Sequence, residues 1–225
     1  MEANELNTVD VKSLGSGYAS QGELLRDLMA WLDLHLYYYY AHHQWLGPSS
    51  EMKNLLGLVV TREEFEHNLT KAAQRGLPNE LQPEEREQLD LSFAAIRLRL
   101  ERTEAALPLC QLFERFGLDS FERSCVVLAY APEIDLKYTK LLAYLQDDMT
   151  RKAPGVSLCC ELFLPEGAEL AACMSRFHGG GFVRLFEPAE LDKGLLVLRR
   201  EAVGFLANGT VRDGEGFRLF DGSAR

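Results

Sequence analysis

Asp147 and Asp148 stand side by side, a few residues before Arg151 and Lys152. Adjacent carboxylates are the groups that hold a divalent cation or share a proton in acid–base chemistry. These two fall at the C-terminal end of a helical pattern, where acidic groups oppose the helix dipole and need compensation, and Arg151 and Lys152 are near enough to supply it. The favoured reading is an ion-pair and hydrogen-bond cluster that fixes a turn, with an interdomain contact and a metal or catalytic dyad as alternatives. A second candidate is His178-Gly179-Gly180-Gly181-Phe182, because a glycine turn can offer backbone N–H groups to a tetrahedral oxyanion. Such a turn needs a nucleophile, and no G-x-S-x-G occurs in the chain, so it reads as a flexible turn between a helix and a strand. His35, His42 and His43 have no third ligand nearby in sequence and do not define a metal site. No G-x-x-x-x-G-K-S/T loop is present to cradle a nucleotide phosphate. Without a nucleophile, base and orienting group in one constellation, the chain is expected to have no enzymatic activity of its own.

Composition narrows the partners. The formal charge of -10 over 225 residues opposes nucleic acid and anionic membranes, because binding to either begins from a field of the same sign. The five cysteines, Cys110, Cys125, Cys159, Cys160 and Cys173, are odd in number and lack C-x-x-C spacing. They read as reduced core residues of a cytoplasmic protein. Residues 1–20 lack a basic start followed by an apolar run, so no signal peptide is expected. The apolar stretch 24–46 is broken by Arg26, Asp27, Asp33 and the histidines, and reads as a packed helix rather than a membrane span.

The elements that must position these groups are mostly helical. Leu25, Leu28, Met29, Leu32, Leu36, Tyr39 and Tyr40 keep one helical stripe, with Tyr37, Tyr38 and Trp45 partly off it. Four consecutive tyrosines 100° apart cannot all face inward, so Tyr37, Tyr38 and Trp45 are candidate contact residues. Thr61 and Glu64 form a capping box for a second helix, and Pro83 opens a third with Leu89, Phe93, Ile96 and Leu100 inward. Arg97, Arg99 and Arg102 read as a solvated face of that helix. The best-defined stretch is 117–155. There Asp119 and Glu122 make a capping box, Phe121, Cys125, Leu128 and Ala129 follow on one face, and the helix stops near Pro132. A further helix from Glu133 carries Ile134, Tyr138, Leu141, Leu142 and Leu145 inward. Residues 156–163 give a short helix with Val156, Cys159, Cys160 and Phe163 inward, and 166–175 another. Residues 182–186 and 195–198 read as two short strands flanking a wing.

The run LAYAPEIDLKYTKLLAYLQDDMTRKAPGVSL, residues 128–158, resembles the region just before the ATPase module in a family of large bacterial AAA-type ATPases, some encoded beside contractile injection systems. The matching residues are Ala131, Pro132, Glu133, Asp135, Lys137, Tyr138, Ala143, Tyr144, Leu145, Gln146, Asp147, Asp148, Thr150, Arg151, Lys152 and Pro154. The resemblance covers 109–164 and implies a variant winged-helix domain.

The expected fold is therefore mainly α. A flexible N-terminus, 1–20, precedes a helical bundle, 21–106, and a winged-helix-like α+β domain with a short two-stranded wing, 107–207. Residues 208–225 are expected to be a linker toward a missing ATPase module. The resemblance implies a non-catalytic N-terminal region that binds a protein substrate or adaptor or positions the ATPase ring. It also implies that ATP and Mg bind only in the missing module, which would be hexameric in the full-length protein. No cofactor or metal is expected in this chain. A DNA-binding winged-helix regulator is the alternative, although the helix 156–163 offers Ser157 and Glu161 outward rather than arginines. Arg151 and Lys152 are the basic residues beside it and, with Tyr37, Tyr38 and Trp45, complete the candidate interaction surface.

Overall fold

The computed structural model describes residues 16–43, 81–146, 148–164 and 168–209. The expected helix after Thr61, Trp45, Asp147, the side chains of His42 and His43, and most of the 208–225 tail lie outside the described residues. The helices are α1 (Gln21–His43), α2 (Pro83–Glu101), α3 (Pro108–Phe116), α4 (Ser120–Ile134), α5 (Lys137–Leu145), α6 (Val156–Phe163), α7 (Leu170–Ser175), α8 (Pro188–Leu191) and α9 (Arg200–Asn208).

Local chemistry sets several of these boundaries. Pro83 occupies the first turn of α2, where its missing N–H costs nothing, and Glu85 reaches back to accept the Gln82 N–H at 2.9 Å. At α4 the Asp119 carboxylate accepts the Glu122 N–H at 3.0 Å and Glu122 returns the contact to the Asp119 N–H at 3.0 Å, a reciprocal capping box.

The end of α4 differs from the expected stop at Pro132. The helix runs on to Ile134, because a proline in the last turn leaves only one carbonyl without its helical donor. Asp135 then breaks it with an extended backbone, and its side chain accepts the Lys137 N–H at 2.8 Å to start α5. That later start rotates the stripe: Tyr138, Leu142 and Ala143 are buried, whereas Ile134 and Leu141 are exposed.

One contiguous core runs from Tyr18 through α1, α2, α4 and α6 to Leu206 of α9. Helix α1 packs along α2 and also touches α4 and α6, while α9 lies against α3. The 16–20 segment is part of this core. Tyr18 is buried, and the chain passes so close to α2 that a Cβ on Gly17 would come within 2.2 Å of the Arg102 carbonyl oxygen.

Arg99 belongs to the same region and departs from the expected solvated face. It is 6% exposed, ion-paired to Asp27 at 2.6 Å, and its guanidinium sits 4.0 Å above the centre of the Tyr18 ring. A buried guanidinium is tolerable here because a carboxylate and an aromatic face both meet it.

The wing also departs from expectation. Phe182–Leu185 is a 3-10 turn rather than a strand, and α8 fills the connection between the two expected strands. Pairing among the described residues is limited to single antiparallel bridges, Phe186 with Leu198 and Gly155 with Leu195. The 195–199 segment is stitched on both sides. The Leu196 N–H donates to the Pro154 carbonyl at 2.8 Å, and the Glu187 N–H donates to the Val197 carbonyl at 2.9 Å. Phe182, Leu185, Phe186, Leu196 and Leu198 are all buried beneath it, so hydrophobic packing holds the wing where a ladder is too short to do so.

Candidate interaction site

The residues of the 131–154 motif assemble a turn and two anchors. Gln146, just past α5, is the centre of the turn. Its side-chain amide donates to the carbonyls of Leu142 and Ala153, each at 3.0 Å, and its Oε1 accepts the Gly155 N–H at 2.7 Å. One side chain thereby ties the end of α5 to the start of α6. Asp148 accepts both the N–H and the hydroxyl of Thr150, at 2.9 and 2.6 Å, and pairs with Arg151 at 3.4 Å. The Thr150 bonds and the Arg151 charge hold its carboxyl below the usual carboxylate range, so it is committed to the turn as an anion. Pro154 is buried, and its carbonyl carries the wing segment.

The first anchor lies at the start of α5. Lys137 pairs with Asp33 of α1 at 2.7 Å, and the Tyr138 hydroxyl donates to the same carboxylate at 2.8 Å. Burial, then the Asp33 charge, push the Tyr138 phenol well up. The second anchor joins α1 to α6. Tyr39 donates its hydroxyl to Glu161, and Trp31 stacks on Phe163 with ring centroids 5.8 Å apart and planes 11° from parallel. Neither Asp33 nor Glu161 stood out as a site residue from sequence. The available signal was a carboxylate inside the strongly apolar run 24–46, which needs a partner wherever that helix packs.

The other candidates are dispersed. Tyr38 is buried, with its hydroxyl donating to Gln88, and is removed from the contact surface by its place in the core. Tyr37 is half-buried, and its ring meets Tyr38. Pro132 is half-buried in the last turn of α4, and Glu133, Asp135 and Lys152 are exposed. Tyr144 is exposed beside the Tyr40 ring at 5.8 Å. Leu136, Leu141 and Met149 of the same stretch are also exposed, so apolar side chains face outward beside the exposed charges.

Among the described residues no group of three His, Cys, Asp or Glu is placed to hold a metal ion. Cys125, Cys159, Cys160 and Cys173 are buried and Cys110 half-buried, all as free thiols. Burial and neighbouring thiols push Cys160 up to about 12, a value that leaves it protonated and unreactive at neutral pH. No helix among the described residues is long and apolar enough to cross a membrane.

Helices α4, α5 and α6, followed by the stitched wing, have the order of a winged helix. A family model described as "Winged helix domain, variant" matches residues 10–185, and the chain belongs to that family. The matched region includes α1 to α7 and ends before α8 and α9. Neither a curated protein nor a solved structure matches the chain.

Proposed function

We propose that this variant winged helix is a protein-binding module, the non-catalytic N-terminal region of an AAA-type ATPase that engages a protein substrate or adaptor or positions the ATPase ring. The observation that carries the reading is the contact of α1 with α6. In a DNA-binding winged helix the outer face of the third helix enters the major groove. Here Glu161 on that face accepts from Tyr39, Phe163 is stacked under Trp31, and Ser157, one turn earlier, is the exposed residue of α6. An acidic, covered helix is poorly suited to phosphate, and the net charge of -10 opposes approach. The ATPase assignment rests on the resemblance of residues 128–158. This chain has no G-x-x-x-x-G-K-S/T loop, so its residues do not fit ATP, and nucleotide chemistry belongs to the proposed module.

Membership of the winged-helix family fits a DNA-binding regulator equally well, and a titration separates the two. Labelled duplex DNA followed by anisotropy at physiological ionic strength is expected to give no binding. Salt-dependent binding weakened by Arg151→Ala and Lys152→Ala would assign the regulator instead. Nucleotide hydrolysis by this chain alone would overturn the non-catalytic assignment. A Walker loop encoded downstream of Arg225 is the expected mark of the ATPase.

A further inference from the structure

A cleft of about 560 Å³ lies between the glycine turn after Phe177 and the wing. Its lining includes the apolar side chains of Phe177, Val183 and Leu191 together with His178, Arg184, Asp192 and Arg199. Arg199 is the unusual member. It is half-buried, and its Nε donates to the Phe186 carbonyl at 2.9 Å, which fixes the plane of the guanidinium. Among the described residues no carboxylate lies within ion-pair distance of it, Asp192 included. The contrast with Arg99 is informative, since that buried arginine has Asp27 at 2.6 Å. A guanidinium oriented by a backbone carbonyl and lacking its own anion is arranged to receive a planar oxyanion through its remaining N–H groups. Apolar walls with a small number of polar groups, here His178, Arg184, Asp192 and Arg199, are also the usual make-up of a ligand cleft of this size.

We infer that this cleft is a carboxylate-binding site, in which Arg199 takes the carboxylate of a bound polypeptide while Phe177, Val183 and Leu191 receive the apolar side chain next to it. The inference rests on the protein-binding reading and specifies what is recognised. The carboxylate can come from a chain terminus or from an acidic side chain, and the same guanidinium serves both.

Isothermal titration with three probes tests it: acetyl-Leu-Leu as the free acid, the same peptide as its C-terminal amide, and acetyl-Glu-Leu-amide. One or both carboxylate probes are expected to bind at least about tenfold tighter than acetyl-Leu-Leu-amide, and which one does so identifies the source. Arg199→Gln should abolish that preference. Val183→Glu, which leaves the Arg199 bond to Phe186 in place and adds a like charge to the cleft, should weaken the carboxylate probes and spare the amide. Equal affinity for all three probes, or a preference that survives both variants, overturns the site. Neither result depends on the DNA titration, so the cleft can fail while the protein-binding reading stands.

Discussion

Gln146 Oε1 accepts the Gly155 N–H at 2.7 Å, and a Cβ built on Gly155 would stand 2.7 Å from that same oxygen. The bond and the missing side chain are therefore one feature. Any side chain at 155 would have to push the Gln146 amide aside, so glycine is what keeps this bond in place.

Gln146→Ala should cost about 1 to 3 kcal/mol, because the Leu142 and Ala153 carbonyls and the Gly155 N–H lose a part-buried partner together. Gly155→Ala should cost a similar amount by displacing the amide. Since both act on one contact, the double variant should be well short of additive in urea melts. Full additivity would mean that the two residues stabilise the turn independently.

Helix α5 makes a sharper test of face assignment. Leu142 is fully buried and Leu141 is 39% exposed, although they are neighbours on a sequence pattern that places both inward. Leu142→Ala should cost about 2 to 5 kcal/mol, and Leu141→Ala less than about 1. Equal losses in denaturant midpoints would restore the stripe that begins at Glu133.

What could be read from sequence follows the range of the interaction involved. The Asp119–Glu122 box, the Pro83 start and the inward Leu89 and Ile96 depend on residues within a turn or two, and they are where the pattern puts them. The bounds of α6 are those of the 156–163 pattern. The misread features are set by partners far along the chain. Arg99 is buried because Asp27, 72 residues away, meets it. Leu141 turns outward because the extended Asp135 interrupts the helical run before α5 and Asp33, 104 residues from Lys137, pins the start of the helix. The wing reads as strands from its apolar content, but those side chains are needed beneath it, and the short segments make bridges instead. In the site, the motif residues were visible individually; the Asp33 and Glu161 acceptors that orient α5 and α6 were not.

The Arg99–Asp27 pair gives a prediction in which the combined change costs less than the single one. Arg99→Met leaves the Asp27 carboxylate, 14% exposed, without its cation, and should cost about 3 to 5 kcal/mol. Tyr18 also donates to Asp27, at 2.9 Å. Replacing the set together, Arg99→Met with Asp27→Leu and Tyr18→Phe, removes the recessed carboxylate and its two closest partners, leaves only the more accessible Glu23 and Ser16 carbonyl to water, and should recover at least about half of the loss. A triple variant no more stable than Arg99→Met would show that the polar cluster contributes beyond satisfying itself.

His35 sets an acid limit on the same α1 surface. Its ring is packed against Trp31 and Phe163, with centroids at 4.3 and 5.5 Å, and its Nδ1 lies 3.2 Å from the Trp31 carbonyl. Burial pushes its pKa down to about 4, against the weaker opposing effect of that carbonyl. The unfolded chain takes up a proton near pH 6.5 while the folded imidazole stays neutral, so stability should fall as pH drops from about 6.5 to about 4 and then level off for this group. The full loss is on the order of 3 kcal/mol, at up to about 1.4 kcal/mol per pH unit. Asp119 and Asp148 are held low, the former against its own desolvation by the Glu122 N–H and Arg176, the latter by Thr150. Their contributions vanish only as pH falls below the ordinary carboxylate range, and the two windows separate. Urea midpoints at pH 7, 5.5 and 4.5 should fall in the wild type and stay nearly level in His35→Phe, which keeps the aromatic packing. Parallel pH curves for the two proteins would show that His35 is protonated in the fold and that Trp31 and Phe163 do not exclude water from it.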